Sequence, residues 1–198
     1  GGDDRLNGLS GADRLIGKAG DDALAGGRGA DTLKGGLGAD TLSGRLGADT
    51  LRGGAGRDLG YGNRGDDLLL GLKGKERLFG GTGDDTVIGG AGRDVMTGGD
   101  GADLFVFQAS GDSPAEAARP DRIRDFTPGE DLIDLSGLID GALSVIGSEA
   151  FSGTGGELRY DTDGDDILIL ADIDGDGGAD FGLDLQDVTA VEAGDFLL

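Results

Sequence analysis

The sequence predicts an all-β chain, a parallel β-roll of nine-residue repeats followed by a small β-rich C-terminal cap. Three observations carry that prediction. Glycine returns every nine residues, at Gly2, Gly11, Gly20, Gly29 and onward to Gly101. Two residues after each stands an acid: Asp4, Asp13, Asp22, Asp31, Asp40, Asp49, Asp58, Asp67, Glu76, Asp85, Asp94 and Asp103. Two residues further on stands an apolar side chain, from Leu6, Leu15 and Leu24 to Met96 and Phe105, with Gly60 the exception. A fixed period of this kind marks stacked units, none of which can bury its apolar residue alone. A flexible glycine-rich linker needs no phase.

Within each unit the glycine-rich six residues predict a turn, and the triplet centred on the apolar residue predicts a very short strand. Successive strand side chains alternate in direction, so only the middle one of the triplet faces inward. Two turns of opposite direction make one coil of 18 residues, and like positions stack at every second repeat. The acids therefore form two ladders. One holds Asp4, Asp22, Asp40, Asp58, Glu76 and Asp94, and the other Asp13, Asp31, Asp49, Asp67, Asp85 and Asp103.

Carboxylates stacked at a strand spacing of roughly 4.8 Å repel each other unless a cation lies between them. Calcium suits such a site, since it takes 6 to 8 oxygen ligands in flexible geometry and accepts backbone carbonyls, whereas magnesium is smaller and holds its waters. The rungs leave room for about eight to ten calcium ions, with the longer Glu76 side chain disturbing two of the gaps. Excess chelator should then unfold the roll.

Composition narrows the partners. The formal net charge is −22, from 39 acidic against 17 basic residues. Nucleic acid and anionic membranes, which attract lysine and arginine, fit poorly, and multivalent cations fit well. Cysteine and histidine are absent, which removes disulfides, thiolate sites and the usual zinc ligands. No apolar run approaches the roughly 18 residues of a membrane span, and no signal peptide is visible. The chain starts inside a repeat without methionine, so it is expected to be the C-terminal part of a longer protein.

Lys18, Arg45, Asn63, Leu9 and Leu72 stand where a second glycine is usual. Outward positions are polar early in the roll and apolar later (Leu59, Tyr61, Leu68, Leu70, Phe79, Ile88, Leu104, Val106), so this late face is expected to be covered. The period ends at Phe107, and Pro114 and Pro120 mark a boundary loop. Residues 1–107 are thus the roll and 108–198 the capping segment. The capping segment has strand-like runs at 122–126, 132–135, 157–160, 167–171 and 181–185. Asp172, Asp174, Asp176 and Asp180, with Gly177, follow the first nine positions of an EF-hand loop, although Leu183 stands where the bidentate glutamate belongs. They are candidate calcium ligands, and Asp161, Asp163, Asp165 and Asp166 read as a plain acidic loop.

The repeat array, followed by residues 103–107 (DLFVF), 121–126 (DRIRDF), 129–136 (GEDLIDLS) and 174–181 (DGDGGADF), resembles the C-terminal domain of serralysin-type secreted metalloproteases. Related repeats occur in RTX lipases, haemolysins and alginate epimerases. The resemblance covers essentially the whole chain. It implies a right-handed parallel β-roll, calcium ligands among the ladder acids, calcium-dependent folding outside the cell and a bacterial source. Residues 195–198 (DFLL) are similar to the family's acidic-then-apolar terminus, which implies export through type I secretion machinery. No counterpart of the zinc-binding protease motif is present.

The function expected is a calcium-gated folding and export module of an extracellular parent enzyme, monomeric and attached to an N-terminal parent domain. Catalysis by the chain itself is not expected, because its acids are accounted for as ligands. The alternative is a polysaccharide-binding module such as those of alginate epimerases. Against it, Arg5, Arg14, Lys34 and Arg52 offer only a sparse basic stripe, and an ice-binding face would need a regular threonine array that the sequence lacks.

Overall fold

In the computed structural model, which describes residues 1–115 and 120–198, the chain winds as a parallel β-roll. Strands β1 (Arg5–Ser10), β3 (Ala23–Arg28), β5 (Thr41–Leu46), β7 (Leu59–Arg64), β9 (Arg77–Thr82) and β11 (Val95–Asp100) stack in sequence on one side. Strands β2 (Arg14–Ala19), β4 (Thr32–Leu37), β6 (Thr50–Gly56), β8 (Leu68–Gly74), β10 (Thr86–Gly92) and β12 (Leu104–Val106) stack on the other. Neighbours are parallel and 18 residues apart, as in Leu6 opposite Leu24 and Leu24 opposite Leu42.

Most strands of the roll run six or seven residues, twice the length of the expected triplet. The register explains the difference. Arg5, Leu6 and Asn7 pair with Ala23, Leu24 and Ala25, the pairing skips Gly8 and Gly26, and it resumes with Leu9 and Ser10 against Gly27 and Arg28. Each strand is therefore two paired stretches on either side of a glycine bend.

One inward side chain per nonapeptide fills the interior: Leu24, Leu33, Leu42, Leu51, Leu69, Leu78, Val87, Met96 and Phe105 are buried. Leu6 and Leu15, at the open first coil, are only partly covered. At Gly60, where the core residue is missing, δ-carbons of Leu78, Leu69 and Leu51 lie 3.0 to 4.0 Å from where a Cβ would stand, so neighbours fill the space.

Both sheets run on past Phe107. β13 (Asp121–Ile123) pairs with β11, and β18 (Phe181–Leu185) pairs with β13, both parallel. β17 (Asp166–Asp172) and β16 (Glu157–Asp163) follow antiparallel, and β15 (Ser144–Gly147) ends that sheet. On the other side β14 (Leu132–Asp134) pairs with β12, and β19 (Phe196–Leu197) pairs with β14. All five strand-like runs read from the sequence overlap observed strands, while β15 and β19, four and two residues long, give too little pattern to read. Phe105, Phe107, Ile133 and Phe181 bury the end of the roll core, with Phe107 and Phe181 edge to face at 5.2 Å. The late outward apolar residues are half-buried, with Tyr61 and Phe79 stacked at 5.1 Å. They lie on the outer faces of both sheets and stay partly open to solvent. Among the described residues no helix is long and apolar enough to cross a membrane.

Leu69→Ala should test how much one inward side chain contributes. Leu69 is wholly buried, so its truncation should destabilise the folded chain by about 2–5 kcal/mol in equilibrium urea unfolding.

Candidate metal centres

The acids form the two ladders expected of them, joined by a hydrogen bond that the repeat pattern alone does not reveal. Each ladder backbone N–H except that of Asp58 donates to the Oδ1 of the acid one coil further on, since neither carboxylate oxygen of Glu76 accepts a hydrogen bond. Asp13 donates to Asp31, Asp31 to Asp49, Asp49 to Asp67, Asp67 to Asp85 and Asp85 to Asp103, at 2.7 to 2.9 Å. On the other edge Asp4 donates to Asp22, Asp22 to Asp40, Asp40 to Asp58 and Glu76 to Asp94, at 2.8 to 2.9 Å. From Asp22 to Asp103 every ladder acid is buried, whereas Asp13 is half-buried and Asp4 is exposed at the open end.

The second carboxylate oxygen is left over. Oδ2 of Asp13, Asp22, Asp31, Asp40, Asp49, Asp58, Asp67, Asp85, Asp94 and Asp103, and both oxygens of Glu76, are buried without a hydrogen-bond partner. Buried polar atoms in native proteins are nearly always paired, so a regular row of orphans calls for a ligand. The glycine five residues before each acid leaves the space for one. At Gly8 a Cβ would stand 2.6 Å from Asp13 Oδ2 and 2.6 Å from the Gly26 carbonyl oxygen. At Gly62 and Gly80 the same space is bounded by the next coil's carbonyl at 2.6 Å and by Oδ2 of Asp67 or Asp85. A carboxylate and a backbone carbonyl facing one cavity make an all-oxygen donor set suited to a hard dication.

Residues 7–198 match the family described as peptidase M10 serralysin C terminal. The chain belongs to that family. Metallopeptidase AprA of Pseudomonas marginalis is 45% identical to this serralysin-type module over 80 residues, 39% of this chain and 16% of that protein. Metalloprotease AprA of Pseudomonas entomophila is 42% identical over 82 residues, again 39% of this chain and 16% of the relative. These matches thus span under a fifth of each relative's length. Among solved structures, the AlgE6R2 subunit of the Azotobacter vinelandii mannuronan C5-epimerase aligns at 27% identity and a TM-score of 0.46, covering 98% of this chain and 91% of that one. The AlgE6R3 subunit aligns at 28% and 0.44, covering 87% of this chain and 80% of that one.

Two ladder members of the serralysin-type module escaped the sequence reading. Asp94 N–H donates to Asp121 Oδ1 at 2.7 Å, and Asp103 N–H donates to Asp131 Oδ1 at 2.9 Å. Both acids are buried. The nine-residue period is lost before them, but the local signal survives, since each acid stands two residues before a core isoleucine, Ile123 or Ile133. The two differ in what they leave free. Asp121 Oδ2 is an orphan like the rest, whereas Asp131 Oδ2 accepts from Thr127 N–H at 2.8 Å. Asp125 closes the last coil by accepting from the Gly98 and Gly99 N–H groups.

The EF-hand-like acids lie in the turn between β17 and β18, where Asp172, Asp174 and Asp176 bring carboxylate oxygens within 4.8 Å of one another. Asp172 is fully buried, and its oxygens accept from Gly175 and Gly177 N–H. Asp180 accepts from Ile173 and Asp174 N–H and braces the turn from behind. Leu183, in the place of the EF-hand glutamate, is buried in the core of β18. In the neighbouring acidic stretch Asp161 pairs with Arg159 and Asp166 accepts from Asp187 N–H, while the side chain of Asp163 lies outside the described residues.

Burial shapes the titration of the ladders. Desolvation raises Asp58, Asp67 and Asp103 to about 6, Asp85 to about 7 and Asp121 to about 9, and it raises Glu76 and Asp94, which share one buried site. Neighbouring carboxylates push the same way, and the backbone N–H rungs partly offset them. In the unfolded chain these groups titrate near 4. Without a cation the fold therefore holds extra protons, and its stability is greatest below the unfolded values and falls as pH rises through about 6 to 7. Bound cations reverse the sign, because protons then compete for the same oxygens. In chelator the β signal by circular dichroism should accordingly grow from pH 8 to pH 5, whereas in saturating calcium the thermal midpoint should fall over that interval. The same direction in both series would contradict this account.

Proposed function

We propose that this serralysin-type module binds calcium along both ladders, folds on doing so outside the cell, and thereby supports type I secretion and stability of a parent extracellular enzyme. The observation that carries the reading is the row of buried, unpartnered Oδ2 atoms, each beside a space bounded by glycine. The ligands are Asp4, Asp13, Asp22, Asp31, Asp40, Asp49, Asp58, Asp67, Glu76, Asp85, Asp94 and Asp103, joined by Asp121. Asp172, Asp174 and Asp176, with Asp180 as support, hold one further ion. About eight to ten ions fill the ladders. In this reading residues 1–107 are the ion-binding roll, and 108–198 cap it and carry the export terminus at 195–198.

Charge supplies the switch. At −22 the free chain repels itself and stays expanded where calcium is scarce, which suits passage through a channel. Extracellular calcium modules have dissociation constants of about 10⁻⁴ to 10⁻³ M, so millimolar calcium fills many sites together. Each ion that binds only the folded state adds RT ln(1+[L]/Kd) to stability, and many sites in one roll make the response steep. The module itself is not catalytic in this reading, and a catalytic domain precedes it.

Far-ultraviolet circular dichroism through a calcium titration tests the proposal. A steep gain of β signal with calcium at pH 8, absent with magnesium, is the expected result, and full β signal in excess chelator at that pH would refute it. Asp49→Ala should move the midpoint to higher calcium, because it removes one orphan oxygen and leaves the Asp31 N–H unpaired, at a cost of about 1–3 kcal/mol. Thr32→Ala, at an exposed outward position, should leave the midpoint in place. Equal shifts in the two variants would count against the ladder assignment.

A further inference from the structure

One cradle along the ladders is built differently from the rest. At each glycine five residues before a ladder aspartate, from Gly8 to Gly98, the atom nearest to where a Cβ would stand is that aspartate's Oδ2. At Gly71, which precedes Glu76, it is not. The Gly89 carbonyl oxygen keeps its place there, but the nearest atoms of Glu76 are Cγ at 2.9 Å and Cβ at 3.2 Å. The extra methylene fills the space, and the carboxylate has left it. Glu76 Oε1 stands 2.5 Å from where a Cβ of Gly74 would be, beside the carbonyl of Gly56 in the coil before. Calcium takes roughly 6 to 8 oxygen ligands at 2.3 to 2.6 Å. A space with a carbonyl on one wall and a methylene on the other does not offer them.

The turns around Glu76 are rebuilt to match. On this edge β6, β8 and β10 run seven residues where β2 and β4 run six, and the added residues Gly56, Gly74 and Gly92 pair in register. Just beyond them Lys75 N–H donates to the Gly56 carbonyl and Arg93 N–H to the Gly74 carbonyl, both at 3.3 Å. In the first coils the corresponding N–H groups go to side chains, Asp21 to Asp3 Oδ1 and Ala39 to Asp21 Oδ1. Charge changes at the same place. Arg57, Lys75 and Arg93 stand directly before Asp58, Glu76 and Asp94, exposed and, among the described residues, without a salt bridge. Three fixed cations thus accompany three acids, whereas the other edge sets Ala48, Asp66 and Asp84 before Asp49, Asp67 and Asp85. Coils that carry their own counter-charge have less need of a bound one.

We propose that the gap between Glu76 and Asp94 binds no calcium and is closed by the chain itself, the Glu76 methylenes filling the cradle at Gly71 while Lys75 and Arg93 bond the turns coil to coil and balance their charge. The inference rests on the calcium reading of the ladders and departs from it at this one gap. Glu76 then serves as a ligand only toward the Asp58 coil, where Asp58 Oδ2 and the Gly71 carbonyl still face one space. The row of ions on this edge is interrupted in mid-roll, and ions on the two sides of the gap fill with less mutual support than those of the other edge.

Calcium counted by atomic emission after equilibrium dialysis into saturating calcium tests this. Glu76→Asp should reopen the cradle and bind one more calcium per chain than the unchanged protein, with its circular dichroism midpoint moved to lower calcium. Asp67→Glu, which puts the same methylene into the unbroken edge, should bind one fewer. An unchanged count in either variant would overturn the proposal. Crystals of the unchanged chain grown in calcium give a second measurement that depends on no variant folding. Anomalous scattering from calcium should appear beside Gly53 and not beside Gly71, and a peak beside Gly71 would overturn the proposal. The two readings fail separately. A chain that takes up no calcium and stays unfolded in it overturns the calcium reading and this inference together, whereas a chain that folds on calcium with equal counts before and after Glu76→Asp overturns this inference alone.

Discussion

One hydrogen bond, repeated along each edge, sets the terms for the rest of the roll: a ladder N–H donating to the Oδ1 of the acid one coil away, with Oδ2 left unpaired. The bond fixes the spacing of the coils and, in doing so, stacks the anions. At an effective dielectric constant of 20, two charges separated by the strand spacing repel by about 3–4 kcal/mol. The single core side chain of each turn returns about 1.5–3 kcal/mol on burial. The apolar interior is therefore too thin to hold the edges closed against their own charge. In the proposed reading, a cation between rungs or protonation of the carboxylates decides whether the coil exists.

The repeat made most of this readable in advance. Glycine, acid and apolar residue in phase give both ladders and the core within residues 1–107, because each position has one structural role and neighbours differ only by a shift of 18 residues. Strand length was less accessible, since pairing resumes beyond the bends at Gly8 and Gly26, and no local apolar pattern announces it. Asp121 and Asp131 were hidden by the break in period. Their partners lie 27 and 28 residues back instead of 18, with residues 107–120 intervening. The acid-x-isoleucine spacing was the clue that remained.

The serralysin-type C-terminal unit is more than a lid on the last coil. It supplies Ile123, Ile133 and Phe181 to a core continuous with the roll, and it supplies an acid to each ladder. The chain's last residues take part as well. Phe196 is buried beside β14, and Asp195 accepts from Gly129 N–H. Under the proposed export role, a terminus recognised in the expanded chain would be partly covered once the roll has closed, with Leu197 left exposed, and that would give passage through a channel a direction.

The two edges are not equivalent, and charge explains where they differ. The ladder from Asp13 to Asp131 is unbroken, and it ends satisfied, since Asp131 spends its second oxygen on Thr127 N–H. On the other edge neither oxygen of Glu76 accepts a hydrogen bond, so the ladder divides into Asp4 to Asp58 and Glu76 to Asp121. The residues just before the acids change at that point. Along this edge they run Asp3, Asp21, Ala39, Arg57, Lys75 and Arg93, whereas the unbroken edge carries Asp66 and Asp84 over the same coils. Arg93 also lowers the affinity of Asp121 for its proton, against the larger effect of burial. Fixed cations thus stand beside the break in the rung. A longer acid there, with one more methylene and basic neighbours, relieves with covalent charge part of a repulsion that elsewhere only a bound ion or a proton can relieve.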